Sequence, residues 1–207
     1  MDTRSAILDA AAAEMIQQGY AAASMSSIAA RLGQTKGALA HHFPAKRDFI
    51  ASLAAALEEA VNASAELARR LFPDRSGHAL LAFLLGLADW TARDPQVAAA
   101  TYLFTDRAAP DDDLGRAAAT FLARLEELIV QAQDAGALDR SVSAAEIAEY
   151  IFATNLGTAY VSLRMPAPDR RHRRRRFLLL TLGAVGLEDT PAVAQEVVAA
   201  LAGDTPL

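Results

Sequence analysis

The chain has 207 residues, 53% of them apolar, 22% charged and 6% aromatic, with no cysteine and a net charge of −5. This composition excludes global disorder, disulfides, thiolate zinc sites and thiol catalysis. Alanine supplies much of the apolar fraction and favours helices over strands, so an all-α fold is expected and an all-β one is not.

The N-terminus lacks the basic start and apolar run of a secretion signal. The longest apolar stretch, Phe177 to Leu187, is well short of the roughly 18 residues of a membrane span. A cytoplasmic protein with no membrane partner is expected.

Thr3 or Asp2 can cap a first helix. Its apolar positions Ile7, Leu8, Ala11 and Met15 recur at helical spacing to about Gln18, where Gly19 stops it. Ser24 can cap a short second helix through Leu32, ended by Gly33. Thr35 can cap a third over Lys36 to His42, closed by Pro44. A long helix is predicted from Lys46 to Leu71, broken by Pro73 and Gly77. Helices follow over about 77–93, 96–106 and 112–135. Ser143-Ala-Ala-Glu146 reads as a capping box opening a helix to about Leu163. Pro166 and Pro168 predict a turn, followed by a helix over about 169–186 and a last one between Pro191 and Leu201. There is no internal repeat and no long linker.

The informative stretch is SMSSIAARLGQTKGALAHHFPAK, residues 24 to 46. Two short capped helices meet at a glycine that permits a left-handed turn, which is the helix-turn-helix pattern. The second helix is short enough to lie in a major groove with its first residues on base edges. Ile28, Ala29 and Leu39 would hold the pair together, while Thr35, Lys36 and Gly37 face outward. The bare amides there and the Thr35 hydroxyl can also hold a phosphate.

Residues 4 to 50 resemble the DNA-binding domain of the TetR family of transcriptional repressors. The matching positions are Arg4, Ile7-Leu8-Asp9-Ala10-Ala11, Gly19-Tyr20, Ser24-Met25, Ile28-Ala29, Leu32-Gly33, Thr35-Lys36-Gly37-Ala38-Leu39, His41-His42-Phe43-Pro44 and Lys46. The resemblance implies a DNA-binding domain over 1–48 and a helical ligand-binding and dimerisation domain over 49–207. It implies that Thr35, Lys36, Gly37 and Ala38 start the recognition helix and that His41 and Lys46 touch backbone phosphates. Ser24 would cap the first helix of the motif beside the DNA, and Phe43 would plug the small core. Four positions depart from the family's pattern. Ala40 stands where a phosphate-contacting tyrosine is usual, Gln34 where valine or isoleucine is, Ala45 where a capping serine is, and Glu14 where an apolar residue is common. Of the adjacent histidines, His41 is expected to face DNA and His42 to pack or bond locally.

The head is close to neutral, with five basic against four acidic side chains through residue 50, so it would bind DNA through a few placed contacts. In the body, the helices around 146–163 and 173–186 are the expected homodimer interface. Trp90, Tyr102, Phe104, Phe121 and Phe152, with Asn155 as a polar contact, are expected to line a cavity for a hydrophobic or amphipathic effector. The layout is mildly similar to gamma-butyrolactone receptor-like regulators. The arginine run Arg170, Arg171, Arg173 to Arg176 reads as a solvated helix start. It opposes the helix dipole, so acidic neighbours are expected from elsewhere in the fold or from its partner.

No phosphate loop, HExxH or GxSxG occurs, and His78 and His172 have no evident partner, so an enzyme, a metal and a cofactor are not expected. The reading is a repressor that binds a palindromic double-stranded DNA operator and is released by a small-molecule effector. The alternative is a helical ligand-binding or interaction module with weak or lost DNA binding.

Overall fold

The computed structural model describes residues 3–162 and 167–203. The regular elements among them are helices: α1 Thr3–Ala22, α2 Met25–Arg31, α3 Lys36–His42, α4 Lys46–Leu71, α5 Ser76–Arg93, α6 Pro95–Leu103, α7 Asp111–Asp134, α8 Ala144–Ser162, α9 Ala167–Ala184 and α10 Thr190–Gly203. Asp2, Leu163 and Pro166, expected at helix ends and in a turn, lie outside the described residues.

Three ends differ from expectation for physical reasons. Gly19 bends α1 at φ 79° and ψ 162°, and one further turn follows. α6 stops at Leu103 because Thr105 and Asp106 donate their amides to the carbonyls of Tyr102 and Leu103, three residues back, which tightens and ends the helix. α9 starts at Ala167, with Pro168 in its first turn, where a missing N–H leaves no helix bond unmade.

The chain forms two compact units, one of residues 1–59 with 90–119 and the other of 60–89 with 120–207. The unit holding the head thus takes in more than the expected 1–48. α6 packs on α1 with Val97, Ala100 and Leu103 buried, and two polar ties add to this: Gln96 of α6 donates to the Asp9 carboxylate at 2.8 Å, and the Tyr20 amide donates to the Asp106 carboxylate at 2.6 Å. The Tyr20 N–H is left over where Gly19 breaks α1, and Asp106 caps it.

The core of the first unit joins Ile7, Ala11 and Met15 of α1 to Ile28, Leu39, Phe43, Phe49, Ile50 and Leu53, all at 0 or 1% exposure. Each buried Leu, Ile, Met or Phe among them contributes about 1.5–3 kcal/mol relative to an exposed one. Glu14 is also buried on the inner face of α1, and Arg31 of α2 meets its carboxylate at 2.9 Å. A charge on an apolar helix face signals such a partner. The pair ties α1 to α2 where an apolar contact would otherwise serve.

In the second unit, Leu80, Leu81 and Phe83 of α5, Leu125, Leu128 and Ile129 of α7, Ile151 of α8 and Leu182 of α9 are all at 0% exposure and form its buried core. α9 packs on both α8 and α10. No described helix is long and apolar enough to cross a membrane.

Candidate functional site

The helix-turn-helix is built by three local devices. The first is a reciprocal cap. The Ser27 amide donates to Ser24 Oγ at 3.0 Å and the Ser24 amide to Ser27 Oγ at 2.9 Å, which closes the start of α2. The second is the turn. Gly33 takes φ 64°, its amide donates to the Ala30 carbonyl at 3.1 Å, and the Gln34 amide donates to the Ala29 carbonyl at 3.0 Å. These two bonds form a Schellman motif, whose apolar contact usually comes from the position Gln34 occupies. Gln34 is exposed here, so the backbone bonds hold the turn without that contact. The third is Thr35, whose Oγ1 accepts the Ala38 amide at 3.2 Å and starts α3. Leu39 at 0% exposure then anchors α3 from beneath.

Fixed this way, Thr35, Lys36, Gly37, Ala38 and His41 are all exposed, as is Ser24 at the head of α2. A methyl group added at Gly37 would meet Thr35 Oγ1 at 3.9 Å, an ordinary contact. Nothing within the chain therefore requires glycine there, and the bare backbone is free for close approach by an outside surface. His42 does not pack inward as expected. It is exposed, with its ring edge-on to that of His41 at 5.5 Å.

Lys46 departs from the expected phosphate contact. Its Nζ donates to the carbonyls of Tyr20, of Ala21 at 3.3 Å and of Ala23 at 2.8 Å, and lies 4.0 Å from the centre of the Tyr20 ring. The bend at Gly19 leaves these end-of-helix carbonyls without helical partners, and an ammonium group with three donors suits them. Burial lowers the pKa of Lys46, and the nearby Asp106 carboxylate raises it. At Ala45, which cannot cap, Asp48 reaches back and accepts the Ala45 amide at 2.7 Å, so α4 still has half a capping box.

The six residues expected to line an effector cavity divide between the units. Trp90, Tyr102 and Phe104 belong to the first. In the second, Phe121 has its ring 5.6 Å from that of Phe83 and 5.3 Å from that of Phe152, giving an aromatic wall. Asn155 donates its amide to the Ile151 carbonyl of its own helix at 3.0 Å.

A cavity of about 530 Å³ also opens in the second unit, bordered by His78, Leu138, Asp139, Leu187 and Glu188 among others, and none of the six borders it. At its edge Arg75 meets Glu196 at 2.7 Å and His78 meets Glu196 at 3.4 Å, so His78 has a partner that lies too far along the chain to be read from spacing. Burial and then Arg75 lower the His78 pKa, against a raising effect from Glu196.

α8 and α9 leave apolar side chains uncovered. Tyr150, Tyr160 and Val161 of α8 are 49, 39 and 46% exposed, and Phe177 and Leu180 of α9 are 37 and 59% exposed. Within the apolar run Phe177 to Leu187, Leu178, Leu182 and Leu187 are buried and these two are not. Among the described residues, no carboxylate pairs with Arg173 to Arg176, and the side chains of Arg170 and Arg171 lie outside them. Arg174 instead bonds the Ala88 carbonyl at 3.3 Å.

A family model described as "Bacterial regulatory proteins, tetR family" matches residues 7–53, and one described as "Transcriptional regulator SbtR-like, C-terminal domain" matches 75–188. Among solved structures, one from work on the control of antibiotic production by bacterial hormones is 28% identical. It covers 88% of this chain and 97% of its own, with a TM-score of 0.72. CprB of S. coelicolor A3(2), a TetR family protein, is 23% identical over 98% of both chains, with a TM-score of 0.71. SmeT in complex with triclosan is 25% identical over 91% of this chain and 93% of its own, with a TM-score of 0.65. SmeT is the repressor of a Stenotrophomonas maltophilia multidrug efflux pump. No curated protein matches the chain by sequence.

Proposed function

Because the chain belongs to the TetR family of bacterial transcriptional regulators, we propose that it is a repressor that binds a palindromic operator as a homodimer and is released by a small hydrophobic or amphipathic effector. The observation that carries the reading is the capped start of α3, where Thr35 to Ala38 stand exposed on a turned pair of helices whose inner side is held by Leu39. Selection of bound DNA from a random pool tests it. An enriched inverted repeat is the expected result, and no enrichment at moderate salt would favour the alternative of a ligand-binding module without DNA binding. The observation on that side is Ala40, half-buried and unable to supply a phosphate contact.

Lys36 is exposed and in our reading contacts the duplex. Lys36→Ala is expected to relax sequence preference and, where the ammonium neutralises a phosphate, to lower the slope of log K against log salt by about one. A salt titration of operator affinity measures this.

The homodimer reading rests on the uncovered side chains of α8 and α9. Ala153, Gly157 and Tyr160 continue the exposed stripe from Tyr150, while Phe177, Leu180 and Ala184 form another, each at helical spacing. Two such stripes facing a second copy would bury their apolar area around a twofold axis, which also spaces two heads for two half-sites. Leu180→Glu would place two like charges in that interface. It is expected to give a monomer by sedimentation at micromolar concentration and to weaken operator binding at least tenfold. A dimer of unchanged affinity would refute the assignment.

The apolar effector is supported by the wall of Phe83, Phe121 and Phe152. α4 gives residues 46–59 to the head's unit and 60–71 to the other, so it is the expected lever between effector and DNA. By linkage, an effector that lowers operator affinity is itself bound more weakly by the same factor when the operator is present.

A further inference from the structure

The uncovered faces of α8 and α9 begin with charge. On α8, Glu146 and Glu149 are exposed and stand four residues before Tyr150 and Ala153, so they extend the apolar stripe by one turn toward the start of the helix. On α9, Arg173 and Arg176 stand four residues before Phe177 and Leu180 and extend that stripe in the same way. Arg176 is exposed. Arg173 is half-exposed, and its Nε makes no hydrogen bond among the described residues. Neither Glu149 nor Arg176 meets an opposite charge there.

α8 ends at Ser162, α9 begins at Ala167, and the two pack on each other, so they run antiparallel. Glu149 and Glu146 lie 13 and 16 residues back from the end of α8, whereas Arg176 and Arg173 lie 9 and 6 residues into α9. The uncovered face is therefore positive toward the connected ends and negative away from them. The glutamates suit the positive start of their own helix. The arginines oppose the dipole of theirs, and no carboxylate among the described residues offsets this. A twofold axis lying across both helices would turn a second copy end for end. Glu146 is three residues further from the connected ends than Glu149, and Arg173 is three residues nearer to them than Arg176. One axis, about 11 residues from those ends or about 16 Å along each helix, thus brings Glu149 level with the partner subunit's Arg176 and Glu146 level with the partner subunit's Arg173. An axis running along the helices would set like ends side by side.

We propose that the homodimer assembles end for end, with Glu146 and Glu149 of each copy paired with the partner subunit's Arg173 and Arg176. The proposal rests on the homodimer reading above and names the polar contacts that orient it. A face that is negative at one end and positive at the other complements itself when turned by half a revolution, which is what a twofold contact between identical surfaces requires. The occupant of the face is for that reason a second copy of this chain. The acidic neighbours that the arginine run calls for come from the partner, and the apolar side chains of the two stripes are covered in the same step.

Sedimentation equilibrium of the full-length protein with reversed charges tests this. In a twofold dimer each reversal acts twice. Glu149→Arg and Arg176→Glu are each expected to weaken dimerisation at least about tenfold, because two attractions become two repulsions. An equimolar mixture of the two variants is expected to form a mixed dimer within about threefold of the unaltered affinity, since the two reversed residues then face each other and so do the two unaltered ones. Raising the salt from about 0.1 M to about 1 M shortens the screening length from about 10 Å to about 3 Å, and is expected to narrow the deficit of each variant alone. Single variants that dimerise like the unaltered protein overturn the pairing, as does a mixture no tighter than its separate components. A deficit that salt leaves unchanged does so too, since it marks lost packing. In each of these cases the dimer itself stands. An unaltered protein that stays monomeric at micromolar concentration removes the homodimer reading and the pairing with it.

Discussion

Replacing Phe43 with alanine is expected to cost about 3–5 kcal/mol and to abolish operator binding through the loss of the folded head. The ring is 0% exposed, 4.4 Å from the ring of Phe49 between centroids, and capped on another side by the Arg4 guanidinium at 4.6 Å. It follows α3 directly, its amide bonding the Leu39 carbonyl at 2.9 Å, so it fastens the end of the recognition helix to the start of α4. Alanine would lose the transfer energy of the ring and leave a cavity beside Phe49, which its own helix holds in place. Phe43→Leu, which keeps much of the volume, is expected to cost considerably less. Urea denaturation followed by circular dichroism gives both values. A cost under about 1 kcal/mol for alanine would mean that the head's core collapses freely around the gap.

The position of Phe43 was legible in the sequence, as were the helices of the head, because each is set by neighbours a few residues away. Ser24, Gly33 and Thr35 act on amides within three residues of themselves, and the apolar positions of α1 repeat at helical spacing. What the sequence did not disclose depends on long-range pairing. Asp106 has no local mark that it will cap Tyr20, and neither Asp9 nor Gln96 announces the other. Glu14 could have been suspected, since a carboxylate on a buried face needs a partner, yet Arg31 could be named only once α1 and α2 were set against each other. On the effector side, composition pointed to aromatic rings but could not say that Phe121 would stand between Phe83 and Phe152 while Trp90, Tyr102 and Phe104 joined the other unit.

Lys46 is where sequence and structure lead to opposite experiments. A lysine at this point beside a helix-turn-helix reads as a phosphate contact, and Lys46→Met would then lower the salt slope of operator binding by about one and leave stability unchanged. The geometry predicts the reverse. Nζ has three protons and three carbonyl acceptors, on Tyr20, Ala21 and Ala23, so it has no donor left to give a phosphate without surrendering one of them. Hydrogen bonds from a charged group are worth about 1.5–3 kcal/mol each when well made, but they share one donor group, the site is partly open to water, and the Ala21 bond is long. A total loss of about 2–4 kcal/mol is therefore expected for methionine, which retains the packing of the stem. The salt slope should stay at its original value, with any loss of affinity appearing equally at every salt concentration. Urea denaturation and a salt titration of the same variant separate the two accounts. A stable protein with a reduced slope would return Lys46 to the DNA, whereas a destabilised one with an unchanged slope fixes it as the clasp between the end of α1 and the start of α4.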